Sequence, residues 1–154
     1  MTEKAFENAL KDAIKRYWPK RHSFKIASAW VGGLLDLYIR RPKFEPLWLE
    51  LKYVDVSDRK SGPPEFVNIK LSGQQRNFIR KEKRAGGNAG WMVCVRVDSM
   101  RTILYSSHDA DCQKVSWQDL IDKGCPGTQY SRPKEQLQEL LERCYERTET
   151  RNSI

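Results

Sequence analysis

The sequence predicts an α/β fold, a mixed central β-sheet flanked by helices with its core elements in the order αβββαβ. Three observations carry that expectation. Apolar residues recur three and four apart over residues 2–18, the period of an amphipathic helix. Three short strands then follow one another, broken by Gly32-Gly33 and by Arg40-Arg41-Pro42-Lys43. Finally, a helix over residues 74–84 separates the third strand from a nearly all-apolar run at 91–97, and such a crossover makes the run parallel to an earlier strand.

In the first helix Phe6, Leu10, Ala13, Ile14 and Tyr17 form the buried stripe. Thr2 is placed to cap it, without a capping box because Ala5 stands three residues on, and Pro19 ends it. Glu3 and Glu7 lie one turn apart at the edge of the stripe; by themselves they read as a solvated helix edge favoured by the N-terminal dipole. Residues 24–30 and 34–39 read as the first two strands, and residues 47–54, after Pro46, as the third. Residues 55–69 contain Asp58-Arg59-Lys60-Ser61-Gly62-Pro63-Pro64, too rich in turn formers for a regular element, and are expected to form a long loop.

Ser72 is placed to cap the second helix, which Gly86-Gly87 stops. Phe78 and Ile79 face its core side; Arg76, Arg80, Lys81, Lys83 and Arg84 make the other side basic, with Glu82 the one interleaved acid. The run at 91–97 is expected to be a central strand, and residues 102–105 a short one. Ser116 caps a short helix, and a last helix starting at Pro133 lines up Leu137, Leu140, Leu141, Cys144 and Tyr145. The polar end after Thr148 is expected to fray.

A chain of 154 residues suits one domain over 1–154, with a core at about 4–105 and a C-terminal helical extension at about 116–148. No apolar run approaches the roughly 20 residues of a membrane span, and the N-terminus lacks a signal-peptide core, so a soluble, cytoplasmic protein is expected. Twenty-eight Lys and Arg against twenty Asp and Glu give a charge of +8, which favours association with a polyanion. Arg40, Arg41, Lys70 and the basic helix face are the candidate DNA contacts. The four cysteines form no C-x-x-C pair, and with His108 they lack the spacing of common zinc sites.

The chemistry concentrates on Asp36, Glu50 and Lys52. On a strand, residues two apart share a face, so Glu50 and Lys52 stand side by side while Leu51 points into the core. A hairpin through 40–43 returns the chain so that Asp36 lies near Glu50, and converging carboxylates suit a hard cation such as Mg²⁺. A cation there polarises a phosphate and acidifies bound water, the Leu51 carbonyl is a further candidate ligand, and Lys52 can hold the attacking water or offset charge.

In order these residues are Ala5-Phe6-Glu7, Gly33-Leu34-Leu35-Asp36, Trp48-Leu49-Glu50-Leu51-Lys52 and Leu71-Ser72-Gly73-Gln74-Gln75-Arg76-Asn77-Phe78. Over about two thirds of the chain this resembles the PD-(D/E)xK nuclease superfamily, in particular its small phage-type, VRR-Nuc-like or Holliday-junction-resolvase-like members. The resemblance implies a restriction-endonuclease-like core and a Mg²⁺-dependent DNA endonuclease, with Mn²⁺ able to substitute. It implies that Asp36 and Glu50 are metal ligands, Lys52 the catalytic lysine, Glu7 a further metal or water ligand and Gln75 an active-site contact. Leu35 stands where the motif has proline. Expected partners are duplex or branched DNA and a second copy of the chain; if phage-encoded, the protein would act in the host cytoplasm. The rival reading is a non-catalytic nucleic-acid-binding protein on the same fold.

Overall fold

The computed structural model describes residues 2–20, 22–25, 35–127 and 134–145, for 22–25 as backbone only. Its elements are α1 (Glu3–Tyr17), β1 (His22–Lys25), β2 (Leu37–Arg40), β3 (Leu47–Asp55), β4 (Phe66–Asn68), α2 (Gly73–Arg84), β5 (Asn88–Arg96), β6 (Thr102–Ser107), β7 (Lys114–Ser116), α3 (Trp117–Lys123), β8 (Cys125–Pro126) and α4 (Lys134–Glu142). Six strands form one mixed sheet in the order β1-β2-β3-β5-β6-β8, and β4 pairs with β7 in a separate ribbon. The α/β class, the mixed central sheet and the flanking helices are those the sequence predicts.

The crossover through α2 lays β5 parallel to β3 along all nine residues, from Leu47 opposite Asn88 to Asp55 opposite Arg96. Every other pair in the sheet is antiparallel. Residues 88–95 are buried throughout, as a central strand covered on both faces must be. Gly90 is required there: an added Cβ would sit 2.6 Å from Cys144 Cβ and 2.7 Å from the Ser107 carbonyl.

The sheet separates two cores. On one face Leu47, Leu49 and Leu51 pack with Phe6, Leu10 and Ile14 of α1 and Leu137, Leu140 and Leu141 of α4. On the other, Trp91, Val93 and Val95 pack with Ile79 of α2, Val67 of β4, Val115 of β7 and Leu120 of α3. Each fully buried large side chain contributes about 1.5–3 kcal/mol, so the C-terminal residues are part of the core rather than an appendage. The last helix spends its apolar face inside its own chain.

Local signals hold where they can be compared. Thr2 Oγ1 accepts from the Ala5 N–H and Trp18 closes α1. Ser72 caps α2, and Gly86, at φ +85, provides the left-handed turn that ends it. Ser116 caps α3. The segment 55–69 is not one loop, because β4 lies inside it and is stabilised by a partner, β7, nearly fifty positions away. Gly32-Gly33, most of the expected strand at 24–30, Pro133 and the end after Thr148 fall outside the described residues.

Candidate active site

The Arg41–Phe44 turn sets the site. Phe44 N–H donates to the Arg41 carbonyl at 3.2 Å, Pro42 takes the first corner and Lys43 the second at φ 67, the pattern of a type II turn. It returns the chain so that Leu37 pairs with Leu49 and Ile39 with Leu47. Pairing stops there, and the Asp36 side chain takes the next position: its Oδ2 accepts from the Leu51 N–H at 3.1 Å. A residue's N–H and C=O leave an extended strand on the same side, so the Leu51 carbonyl also leaves β3 toward Asp36.

Glu50 and Lys52 point to the α2 side of the sheet, away from Leu49 and Leu51. Lys52 Nζ lies 3.3 Å from Glu50 Oε1. Gln75 connects the two: its Nε2 donates to Glu50 Oε1 at 2.7 Å and its Oε1 accepts from Lys52 Nζ at 3.2 Å. The same Oε1 accepts from the Ser72 N–H at 2.9 Å, and the Gln75 N–H donates to Ser72 Oγ at 3.1 Å, a capping box. The first turn of α2 is thereby tied to the catalytic candidates on β3.

Glu50 is 3 % exposed and its Oε2 has no hydrogen-bond partner. Burial, and after it the neighbouring Asp36 carboxylate, push its pKa from 4.5 up to about 7, against the opposing pull of Lys52. A buried, unpartnered carboxylate oxygen beside a second carboxylate is the donor set of a hard divalent cation, so the residues fit one.

The structure brings Asp36, Glu50, Lys52 and Gln75 together but does not add Glu7. Glu7 is buried on α1, against the Leu49–Leu51 face, and its carboxylate lies 3.0 Å from Lys11 Nζ. Among the described residues no group of three or more Asp, Glu, His or Cys is gathered. Glu7, expected as a further metal or water ligand, is therefore not grouped with the Asp36 and Glu50 carboxylates. Glu50 and α1 lie on opposite faces of β3.

The basic residues divide. Arg40, Lys70, Lys81 and Arg84 are exposed. Arg76 and Lys70 line a shallow groove of about 320 Å³ beside Gln113. Arg80 pairs with Asp111, and Lys83 Nζ lies 2.8 Å from His108 Nδ1 and donates to the His108 carbonyl at 3.3 Å. The β6–β7 loop thus supplies part of the compensation that the α2 face lacks along its own sequence. Arg41, expected from the sequence as a DNA contact, is buried. It is 3 % exposed, with its guanidinium carbon 3.9 Å from the Phe44 ring centre and 4.8 Å from that of Trp18, a stack within the core.

A second groove, of about 390 Å³, opens beside Lys52 and is walled by Arg59, Phe66, Asn68 and Lys70. Of these only Lys70 is among the DNA contacts expected from the sequence. The alternation Phe66-Val67-Asn68-Ile69 was the available signal, with Val67 and Ile69 buried and Phe66 and Asn68 outward, but Pro63-Pro64 just before it reads as loop.

Among the described residues no helix is long and apolar enough to cross a membrane. No family model matches the chain, and no curated protein matches it. Among solved structures the chain is similar to Hjc, a Holliday junction resolvase from the archaeal hyperthermophile Archaeoglobus fulgidus, with 14 % sequence identity, 75 % of this chain and 89 % of that chain covered, and a TM-score of 0.47.

Proposed function

We propose that this chain is a metal-dependent DNA endonuclease that hydrolyses phosphodiester bonds, built on a restriction-endonuclease-like core. One observation supports it above the others. Asp36 and Glu50 converge at the point where β2 stops pairing with β3, Glu50 keeps a buried oxygen without a partner, and Lys52 stands 3.3 Å away. A buried carboxylate oxygen without a partner is costly, and a bound cation would satisfy it.

Asp36 and Glu50 would hold Mg²⁺ or Mn²⁺, with the Leu51 carbonyl as a further oxygen. Such an ion, when bound, polarises the phosphate and makes its water a nucleophile near neutral pH. Lys52 then acts at the reacting phosphate: its ammonium offsets charge that develops on the non-bridging oxygens and orients the attacking water. Gln75 is a positioning residue, because its amide fixes both the Glu50 carboxylate and the Lys52 ammonium. Lys70, Arg76, Lys81 and Arg84 supply the salt-dependent attraction to the DNA backbone. The enzyme would work in the cytoplasm, that of a host cell if the chain is phage-encoded, in DNA recombination, processing or degradation. Two copies, each cutting one strand, would complete a double-strand cut.

Plasmid and four-way-junction DNA incubated with Mg²⁺, Mn²⁺ or EDTA test this. Cutting is expected with either metal and absent in EDTA. Cleavage that Asp36→Asn and Lys52→Ala leave unchanged would overturn the assignment, and DNA binding with no cutting in any metal would favour the non-catalytic reading.

A further inference from the structure

The groove beside Lys52 lies where β3 runs on past its last β2 partner, so the wall facing Lys52 comes from the segment 56–65 and β4. Its chemistry is divided. Lys52, Arg59 and Lys70 bring three cations to its lining. The single carboxylate there, Asp55, is already engaged: its Oδ1 accepts from the Ser57 N–H at 2.9 Å and the Ser57 hydroxyl at 2.6 Å, and its Oδ2 lies 3.7 Å from Arg96. Lys52 is itself paired with Glu50, so Arg59 and Lys70 carry the groove's positive charge, as a phosphate requires.

The same lining carries an aromatic ring. Phe66 is 40 % exposed, although Phe is ordinarily among the most buried residues. Its orientation follows from β4: Val67 goes into the core, pairing opposite Val115, and Phe66 and Asn68 must then face out. Lys114 Nζ lies 4.2 Å from the centre of the Phe66 ring, so a cation holds the ring in place. An isolated exposed Phe would mean nothing, but this one shares a groove with the candidate catalytic lysine.

We infer that the groove receives a single unpaired nucleotide of the DNA next to the cut, its base stacked on Phe66 and its phosphates held by Arg59 and Lys70. A volume of about 390 Å³ suits one nucleotide and not a duplex, whose stacked bases offer no free face to a side chain. A planar ring amid cations is the arrangement that binds single strands without reading sequence. The groove therefore deepens the nuclease reading, on which it rests: the substrate class is DNA with an unpaired base beside the scissile bond.

The test is binding in EDTA, where no cutting interferes, of a duplex carrying a short single-stranded arm against the same duplex without it. The arm carries 2-aminopurine at the branch, whose fluorescence falls on stacking. The intact protein is expected to prefer the armed duplex by at least about tenfold and to quench the probe. Phe66→Ala and Phe66→Leu should each lower that preference by about tenfold and abolish quenching; Phe66→Trp should restore both. The leucine variant keeps the apolar bulk, and so separates loss of stacking from loss of folding. Lys70→Ala should reduce the salt dependence of binding by about one charge. Equal affinity for the two DNAs, or a preference that survives Phe66→Leu with quenching intact, would overturn the inference. Metal-dependent cutting that requires Asp36, without any arm preference, would keep the nuclease and remove this site. Arm preference dependent on Phe66, in a protein that never cuts, would do the reverse.

Discussion

Glu7 and Glu50 are both buried glutamates, 7 % and 3 % exposed, and both match positions where the family resemblance implies a metal ligand. Their surroundings differ in the way that decides chemistry. Glu7 has Lys11 one helical turn away on the same element, an (i, i+4) ion pair. Glu50 is held by groups from three elements, Asp36 before β2, Lys52 on β3 and Gln75 on α2, and still has an oxygen without a partner. A buried carboxylate with a local partner behaves as structure. One that is crowded by a second carboxylate and left incomplete is poised for a cation or a proton.

The largest expected contrast is in cleavage. Glu50→Gln and Asp36→Asn should each lower the metal-dependent rate on the order of 10³-fold, and Glu7→Gln by less than about tenfold, measured as single-turnover rates on one substrate. An equal loss in Glu7→Gln would erase the contrast and return Glu7 to the metal site.

Stability against pH sharpens the same point. Glu50 has a folded-state pKa of about 7 against an ordinary 4.5, so it is the neutral form that the fold favours. Its stabilising contribution is complete below 4.5 and is lost as pH rises through about 7. Without metal, the wild type should therefore lose about 3 kcal/mol relative to Glu50→Gln across that interval, read by urea unfolding at each pH. Saturating Mg²⁺ should offset the loss above pH 7 in the wild type and do little in the variant.

Gln75 comes next in size. Gln75→Ala removes the link between Glu50 and Lys52 and one half of the α2 capping box. The rate should fall by roughly 10–100-fold and the stability by about 1 kcal/mol, whereas Ser72→Ala should show the stability loss with the smaller rate effect. The smallest effect on DNA is expected at Arg41. Its guanidinium is stacked in the core with two nitrogens unbonded, so Arg41→Met should leave DNA affinity and its salt dependence unchanged and alter only the melting temperature. A fall in the salt slope by about one would put Arg41 back among the DNA contacts.

What was legible beforehand was legible for local reasons. The parity of β3 places Leu51 inward and Glu50 with Lys52 outward, and Pro42 with the turn around it brings Asp36 alongside. Ser72 is a capping residue placed just before the second helix. The strands β4, β7 and β8 were not legible, since each is two or three residues long and exists only because a distant segment pairs with it. The burial of Arg41 had no sequence signal either: its neighbours Arg40 and Pro42 point to a surface turn, and only the rings of Trp18 and Phe44 draw it inside.

The sequence by itself determined which side chains share a face of β3, where α2 begins, and that an acid pair, a lysine and a basic helix occur in nuclease-like order, because strand parity, capping and crossover rules act over a few residues. Tertiary structure alone decided that Glu50 lies beside Asp36, that burial and this second carboxylate push its pKa up to about 7, and that Phe66 and Lys52 line one groove. Those outcomes depend on burial and on charges brought close through space, and neither quantity is a function of spacing along the chain.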